Sequence, residues 1–136
     1  MAPQSRQGSA CIVLVEDDAP SCHALTRLLA SAGYTVIPAA TVREARDAVA
    51  RQRCDLLIAD LGLPDGSGVE LLKELRETHG LSRGIALTGY TADADVAACE
   101  AAGFAAFLSK PVHFPILEQT VRRVLGHAAQ LPAVPP

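Results

Sequence analysis

Residues 55–68 read DLLIADLGLPDGSG, and they predict the end of a buried strand followed by a tight loop. Leu56, Leu57 and Ile58 form a continuous apolar run, which is typical of a parallel strand covered on both faces. The run ends at Asp60, and a lone carboxylate at the tip of a buried strand is costly unless it is paired. The stretch therefore predicts a strand with a charged site at its carboxyl end.

Apolar runs of the same kind recur along the chain and alternate with stretches of helical periodicity. The further runs are residues 10–15, 35–40, 84–88 and 106–110. Their largely continuous apolar character predicts strands buried on both faces. Five strand–helix units in series predict an α/β fold, with one parallel sheet, helices on both faces and right-handed crossovers. We assign this domain to residues 10–126 and expect residues 1–9 and 127–136 to be flexible ends.

The helical stretches carry start signals and apolar stripes. Two of them open on capping-box sequences, Thr41-x-x-Glu44 and Ser67-x-x-Glu70. Periodicity places Leu28 in the core-facing stripe of the first helix and Ile116 in that of the fifth. The fourth stretch, residues 91–103, offers only Val96 and several alanines as apolar contacts, so we expect this helix to be the least firmly anchored.

Composition narrows the class of protein. A length of 136 residues fits one domain, and 12 Lys and Arg against 15 Asp and Glu give a net charge of −3 without a basic run, which argues against nucleic-acid binding. No apolar run approaches the ~20 residues of a membrane span, and residues 1–10 lack the apolar core of a signal peptide. We therefore expect a cytoplasmic protein whose scattered cysteines are small buried side chains: Cys11, Cys22, Cys54 and Cys99.

The carboxyl ends of the predicted strands carry the polar residues that could do chemistry. They are Glu16 and Asp17 after the first strand, Asp60 after the third, Thr88 at the fourth and Lys110 at the fifth. Carboxylates about 5 Å apart repel by about 3 kcal/mol per pair at an effective dielectric of about 20, more than one lysine offsets. A cluster of hard oxygen ligands without His or Cys suits Mg²⁺ or Mn²⁺ and argues against zinc. We expect a divalent-metal site able to receive a phosphoryl group.

Four separated motifs now resemble a known family, the receiver domains of two-component response regulators. In order they are VEDD (15–18), DLGLPDGSG (60–68), ALTG (86–89) and SKP (109–111). The match covers about residues 10–125, nearly the whole predicted domain. It implies a flavodoxin-like, doubly wound (βα)5 three-layer fold with a parallel sheet of order 2-1-3-4-5.

The resemblance also implies roles for the residues at the strand ends. Asp60 would be the phosphoacceptor nucleophile, and Lys110, before a cis bond to Pro111, would contact the phosphoryl oxygens. The Mg²⁺ or Mn²⁺ ion would be held by Asp60, by Asp17 directly, by Glu16 mostly through water, and by the backbone carbonyl of Gly62.

Further positions would govern switching and the lifetime of the aspartyl phosphate. The Thr88 hydroxyl would turn to the new phosphate, and Phe107 occupies the aromatic switch position, where without a hydroxyl it could act only through packing. Gly62 and Tyr90 would tune hydrolysis, and neither side chain orients an attacking water readily, so we expect slow autodephosphorylation. Catalysis would be limited to this self-modification.

The resemblance implies partners as well. The donor would be the phosphohistidine of a histidine kinase or histidine phosphotransfer protein, or a small acyl phosphate. The reader would be a downstream protein that contacts a surface including the fourth helix. Both a stand-alone receiver and the receiver of a hybrid sensor histidine kinase fit the sequence.

Several of these residues also fit structural roles or other classes of protein. Asp18 fits a helix N-cap, and Asp65, in a Pro-Asp-Gly turn, fits a structural role. A nucleotide- or flavin-binding enzyme would need a Gly- or hydroxyl-rich phosphate cradle after the first strand, where this chain has three carboxylates. A haloacid-dehalogenase-type phosphatase would place a second acid where Gly62 stands. A degenerate receiver that serves only as an interaction module is disfavoured by the intact set of acids and the lysine.

Overall fold

The computed structural model of the protein describes residues 10–89 and 93–126. The predicted flexible ends, residues 1–9 and 127–136, and the predicted tuning residue Tyr90 lie outside the described residues. The elements in chain order are β1 (Cys11–Val15), α1 (Ala19–Ser31), β2 (Thr35–Ala39), α2 (Val42–Arg51), β3 (Leu56–Asp60), β4 (Gly62–Leu63), β5 (Gly66–Ser67), α3 (Gly68–His79), β6 (Gly84–Thr88), α4 (Asp93–Ala102), β7 (Ala106–Ser109) and α5 (Phe114–Val124).

The main sheet confirms the predicted topology. Its strands are all parallel and follow the order β2-β1-β3-β6-β7, which is the predicted order 2-1-3-4-5 once the short pair β4 and β5 is set aside. That pair forms a separate antiparallel hairpin directly after β3, where the sequence predicted only a loop. The fold is therefore the flavodoxin-like doubly wound sandwich.

Alternate residues of each central strand face different helices. In β1, Val13 and Val15 pack in one cluster with residues of α2, α3 and α4, whereas Ile12 and Leu14 pack in a second cluster with residues of α1 and α5. This division explains why β1, β3 and β6 read as unbroken apolar runs, because both faces of these strands are covered.

The prediction that the strands are buried on both faces is wrong for residues 35–40 and 106–110. These residues form β2 and β7, the two edges of the sheet, and most of their positions are half-buried or exposed. Pro38 lies in β2, where its missing N–H is tolerated because an edge strand has one unpaired side. An apolar run does not distinguish a central strand from an edge strand.

Helix starts agree with the capping signals, and two core assignments do not. Thr41 Oγ1 accepts from the Glu44 N–H at 3.0 Å, as in a capping box, and Glu44 Oε1 accepts at 2.8 Å from the N–H of Ala40, the residue before the N-cap. Leu28 is 43% exposed and Ile116 is 52% exposed, so their predicted core positions are wrong. Both lie beside the stripe that meets the sheet, which α1 fills with Cys22, Leu25 and Leu29 and α5 with Leu117, Thr120 and Val121.

Helix α4 is anchored by a residue that the apolar pattern did not single out. Cys99 and Ala102 are buried against the cluster that contains α2 and α3.

Three of the four cysteines, Cys11, Cys22 and Cys99, are buried as predicted, and Cys54 is partly buried. Within the described residues, no helix has the length and apolar character required to cross a bilayer.

Candidate functional site

The parallel strand register brings the predicted site residues to one edge of the sheet. Val15 of β1 pairs with Ala59 of β3, so Glu16, directly after β1, and Asp60, the last residue of β3, lie at the same level of the sheet. In the same way Thr88 of β6 pairs with Ser109 of β7, directly before Lys110. The sheet topology alone therefore gathers residues that are up to 94 positions apart, from Glu16 to Lys110.

Lys110 bridges two of the carboxylates. Its Nζ lies 2.7 Å from Asp60 Oδ2 and 2.8 Å from Glu16 Oε1. The Glu16 side chain is 1% exposed, that of Asp60 13% and that of Lys110 30%, so both ion pairs are shielded from solvent. Partial burial lowers the pKa of Lys110, but its contacts with Asp60 and Glu16 outweigh this effect and raise the pKa above its ordinary value. The ammonium is held in its charged form.

The two oxygens of the Glu16 carboxylate contact different groups. Its Oε2 accepts from the Asp18 N–H at 3.0 Å. Its buried Oε1 contacts the Lys110 ammonium, but among the described residues it receives no hydrogen bond of good geometry. The ion pair with Lys110 therefore balances the charge of this buried oxygen.

A third carboxylate completes an acidic pocket. Glu16, Asp17 and Asp60 each offer an oxygen, and these oxygens lie within 4.8 Å of one another. Asp17 is exposed, so the pocket opens to solvent on its side. Three negative charges against one ammonium leave the pocket short of positive charge, and hard oxygen donors suit Mg²⁺ or Mn²⁺. The residues present therefore fit such an ion.

The loop after Asp60 is built around two glycines. The Gly62 N–H lies 3.4 Å from Asp60 Oδ1, so β4 begins directly beside the carboxylate. The Gly68 N–H donates to the Leu61 carbonyl at 3.0 Å, and a Cβ on Gly68 would lie 2.5 Å from the Asp60 backbone oxygen. Only glycine allows this approach, and the sequence did not predict this individual role for Gly68. The second glycine of the DGSG segment, after an acid-tipped strand, was the available signal.

Thr88 is linked to Lys110 through the backbone as well as by position. Thr88 is buried at 7% exposure at the end of β6, and its carbonyl accepts the Lys110 N–H at 2.7 Å. The Lys110–Pro111 bond is cis, as expected. Phe107 of β7 is half-buried and packs on the cluster formed with α2, α3 and α4. The switch candidates therefore lie on the two strands that flank α4 in sequence.

Two further acids have structural roles, in agreement with the sequence. Asp18 is the N-cap of α1 and accepts from the Ser21 N–H at 3.1 Å. Asp65 accepts backbone N–H groups at the start of α2. Neither carboxylate belongs to the acidic pocket.

A doubly wound parallel sheet with three carboxylates and a lysine at its carboxyl edge defines the class of receiver domains in two-component signalling. The response regulator receiver domain family matches residues 12–122, and the chain belongs to this family.

Several proteins are similar over most of the chain. The sensor kinase CckA of Brucella abortus is 36% identical over 120 residues, which are 87% of this chain but only 13% of the kinase. The polar-differentiation response regulator DivK of Brucella anthropi is 30% identical over 86% of this chain and 97% of its own length. The CheY-like receiver domain protein of Methanospirillum hungatei superposes with a TM-score of 0.82 at 28% identity, covering 89% of this chain and 97% of that structure.

Proposed function

We propose that this receiver domain is a phosphoacceptor, in which Asp60 takes a phosphoryl group from the phosphohistidine of a histidine kinase or histidine phosphotransfer protein. The observation that carries the proposal is the contact of Lys110 Nζ with Asp60 at 2.7 Å, inside a pocket with Glu16 and Asp17. A cytoplasmic location follows from the proposed donor.

The transfer is a direct displacement at phosphorus. A carboxylate oxygen of Asp60 forms the new P–O bond while the P–N bond to the donor imidazole breaks, and the imidazole nitrogen leaves with the bonding pair and takes up a proton. Glu16, Asp17, Asp60 and the Gly62 carbonyl would hold a Mg²⁺ or Mn²⁺ ion, which would supply positive charge to the transferring oxygens. Lys110, whose Nζ contacts Asp60 Oδ2, adds a second positive charge. Most of the rate acceleration in such a reaction comes from positioning and charge stabilisation.

The new phosphate then changes a partner-binding surface. The Thr88 hydroxyl and Lys110 bind the phosphate. The movement of Thr88 then changes the position of Phe107 and α4, which pack in the same cluster. Moving a two-state equilibrium from 1:99 to 99:1 needs about 5.5 kcal/mol of differential binding, to which these charged contacts contribute. Gly62 and Tyr90 do not orient an attacking water, so hydrolysis is slow.

The receiver of a hybrid sensor kinase is the second candidate, and it is not favoured. A kinase relative and a response regulator relative both match the chain, so these matches do not favour it over a stand-alone receiver. A degenerate receiver is disfavoured by the complete set formed by Glu16, Asp17, Asp60 and Lys110.

Intact mass measurement after incubation with acetyl phosphate and MgCl2 tests the proposal. We expect an adduct of about 80 Da, the mass of one phosphoryl group. The adduct is absent in Asp60→Asn and in wild type treated with EDTA. It persists in Asp18→Asn, which makes the same change of charge outside the pocket and keeps an N-cap side chain. A wild-type protein that takes no phosphate from acetyl phosphate or from a phosphohistidine donor overturns the proposal.

A further inference from the structure

The loop that follows the Asp60 strand is attached to a neighbouring helix by one side chain. Asp65, in the turn between β4 and β5, accepts the Val42 N–H at 2.8 Å through Oδ1 and the Arg43 N–H at 3.1 Å through Oδ2. These are two of the free N–H groups that open α2. A carboxylate 23 residues away from Val42 thus caps the helix alongside the local N-cap Thr41.

A second contact holds the same turn against the same helix. A Cβ on Gly66 would lie 3.2 Å from Cγ2 of Val42, so the backbone at Gly66 rests almost directly on that buried side chain. The turn therefore meets α2 through a polar contact at Asp65 and an apolar contact at Gly66.

The hairpin that carries Asp65 needs such support. It pairs only Gly62 with Ser67 and Leu63 with Gly66, and an isolated two-stranded pair of this length is marginal in water. Its first residue, Gly62, is the one whose N–H points to Asp60 Oδ1. The hairpin is therefore joined to the acidic pocket through Gly62, two residues after Asp60.

We propose that Asp65 is a positioning residue: by capping α2 it fixes the β4–β5 hairpin, and with it Gly62, against the metal-binding pocket at Asp60. The inference rests on the proposed function, because it concerns the ion and phosphoryl group that bind at that pocket. The hydrogen bond from the Val42 N–H is the main effect that lowers the pKa of Asp65. Desolvation opposes it to a smaller extent, and the bond from the Arg43 N–H lowers the pKa further. Asp65 is therefore charged at neutral pH. A negative charge at a helix N-terminus also interacts favourably with the helix dipole.

The alternative is that Asp65 only stabilises α2. Thr41→Ala is the matched control, because it removes the bond from the Glu44 N–H in the first turn of the same helix and leaves the hairpin untouched. Asp65→Asn keeps one acceptor oxygen and serves as the conservative variant, which also keeps the test usable if Asp65→Ala does not fold.

The test is a titration of the full chain with MgCl2, in which the backbone amide NMR shifts of residues 16–18 and 60–62 report binding. The rate of phosphorylation by acetyl phosphate is measured on the same proteins. We expect Asp65→Ala to raise the Kd for Mg²⁺ by roughly three- to tenfold, which is the range expected when a capping interaction is lost from the bound geometry. The Kd of Asp65→Asn for Mg²⁺ should lie between those of Asp65→Ala and wild type. Thr41→Ala lowers Tm but keeps the wild-type Kd.

Two different results would overturn two different statements. If wild type binds Mg²⁺ and is phosphorylated, and Asp65→Ala has the same Kd and rate as Thr41→Ala, the positioning role of Asp65 is wrong and the proposed function stands. If wild type neither binds Mg²⁺ nor takes up phosphate, the proposed function itself is wrong.

Discussion

Glu16 and Asp60 share one ammonium, and Asp17 lies beside them without adding a positive charge. The Lys110 ion pairs are partly shielded from solvent, so they are stronger than pairs on an open surface. Even so, three carboxylates remain crowded within 4.8 Å. At the scale of single residues, the same three carboxylates that offer metal ligands also repel one another. A bound divalent ion would reduce that repulsion.

This balance predicts how Asp17→Asn affects stability. Without metal the variant is at least as stable as wild type, because one of the repelling carboxylates is gone. Binding of Mg²⁺ at 100 times its Kd should add about 2.7 kcal/mol to the unfolding free energy of wild type by mass action. We therefore expect MgCl2 to raise the Tm of wild type and to raise that of Asp17→Asn much less. Thermal unfolding followed by circular dichroism, with and without MgCl2, measures both effects.

Asp18→Asn is the control for the Asp17 prediction. It makes the same charge change one residue further on, outside the pocket, and Asn caps a helix about as well as Asp. Its Mg²⁺-induced rise in Tm should equal that of wild type. Equal Mg²⁺-induced shifts in Asp17→Asn and wild type would exclude Asp17 as a metal ligand.

Among the elements, α4 is held at its carboxyl end by its neighbour α3. Arg76 of α3 donates from Nη1 to the Ala102 carbonyl at 2.7 Å, which satisfies a free carbonyl of the last turn. The next residue, Gly103, has φ +105°, and a side chain there would collide with the Arg76 guanidinium. Together with buried Cys99 and Ala102, this contact fixes the carboxyl end of α4.

Arg76→Ala should loosen this end of α4. We expect a loss of about 1–2 kcal/mol of unfolding free energy, which is near the lower end of the range for hydrogen bonds to charged groups because Arg76 is exposed. Amide hydrogen exchange should accelerate in residues 99–104, where Gly103 and Phe104 donate to the Cys99 carbonyl at 3.1 and 3.0 Å. Lys73→Ala, an exposed position on the same helix, is the control. Unchanged exchange in residues 99–104 of Arg76→Ala would show that packing alone holds this end.

For the whole molecule, burial of thiols links stability to alkaline pH. Cys54 is partly buried at the amino-terminal edge of the sheet, and burial is the largest of the effects that raise its pKa to about 11, from 9.0 in a model thiol. Between these two values the unfolded chain loses the Cys54 proton and the folded chain keeps it. The stability that this thiol contributes is therefore complete below pH 9 and is lost as pH rises towards 11.

We therefore expect the global unfolding free energy to fall by about 1.4 kcal/mol per pH unit through Cys54 in this window. Urea unfolding of wild type and Cys54→Ala at pH 8 and pH 10, in the presence of a reductant, isolates the contribution. Buried Cys11 and Cys22, whose pKa values burial also raises, act in the same direction in both proteins and cancel. Parallel pH dependence in the two proteins would contradict the assignment.

Much of this molecule was predictable from local pattern. Continuous apolar runs predicted the strands, capping boxes at Thr41 and Ser67 predicted helix starts, and the series of strand–helix units predicted the parallel sheet. Because parallel strands end at a common edge, strand order also predicted that four residues lie together, and the structure brings them together: Glu16, Asp17, Asp60 and Lys110. These features depend on periodicity and chain order, which are properties of the sequence.

Only the tertiary structure decided which positions face solvent and which distant groups touch. Leu28 and Ile116 fit an apolar stripe but lie beside the contact with the sheet, and β2 reads as a buried strand but lies at an edge. The attachment of Asp65 to α2, the Arg76 bond to α4 and the close approach of Gly68 to Asp60 each join segments whose separation is set by packing. Sequence determined the elements and the chemistry at their ends, because both follow from local residue order. Packing determined the contacts, because a contact depends on the positions of two elements at once.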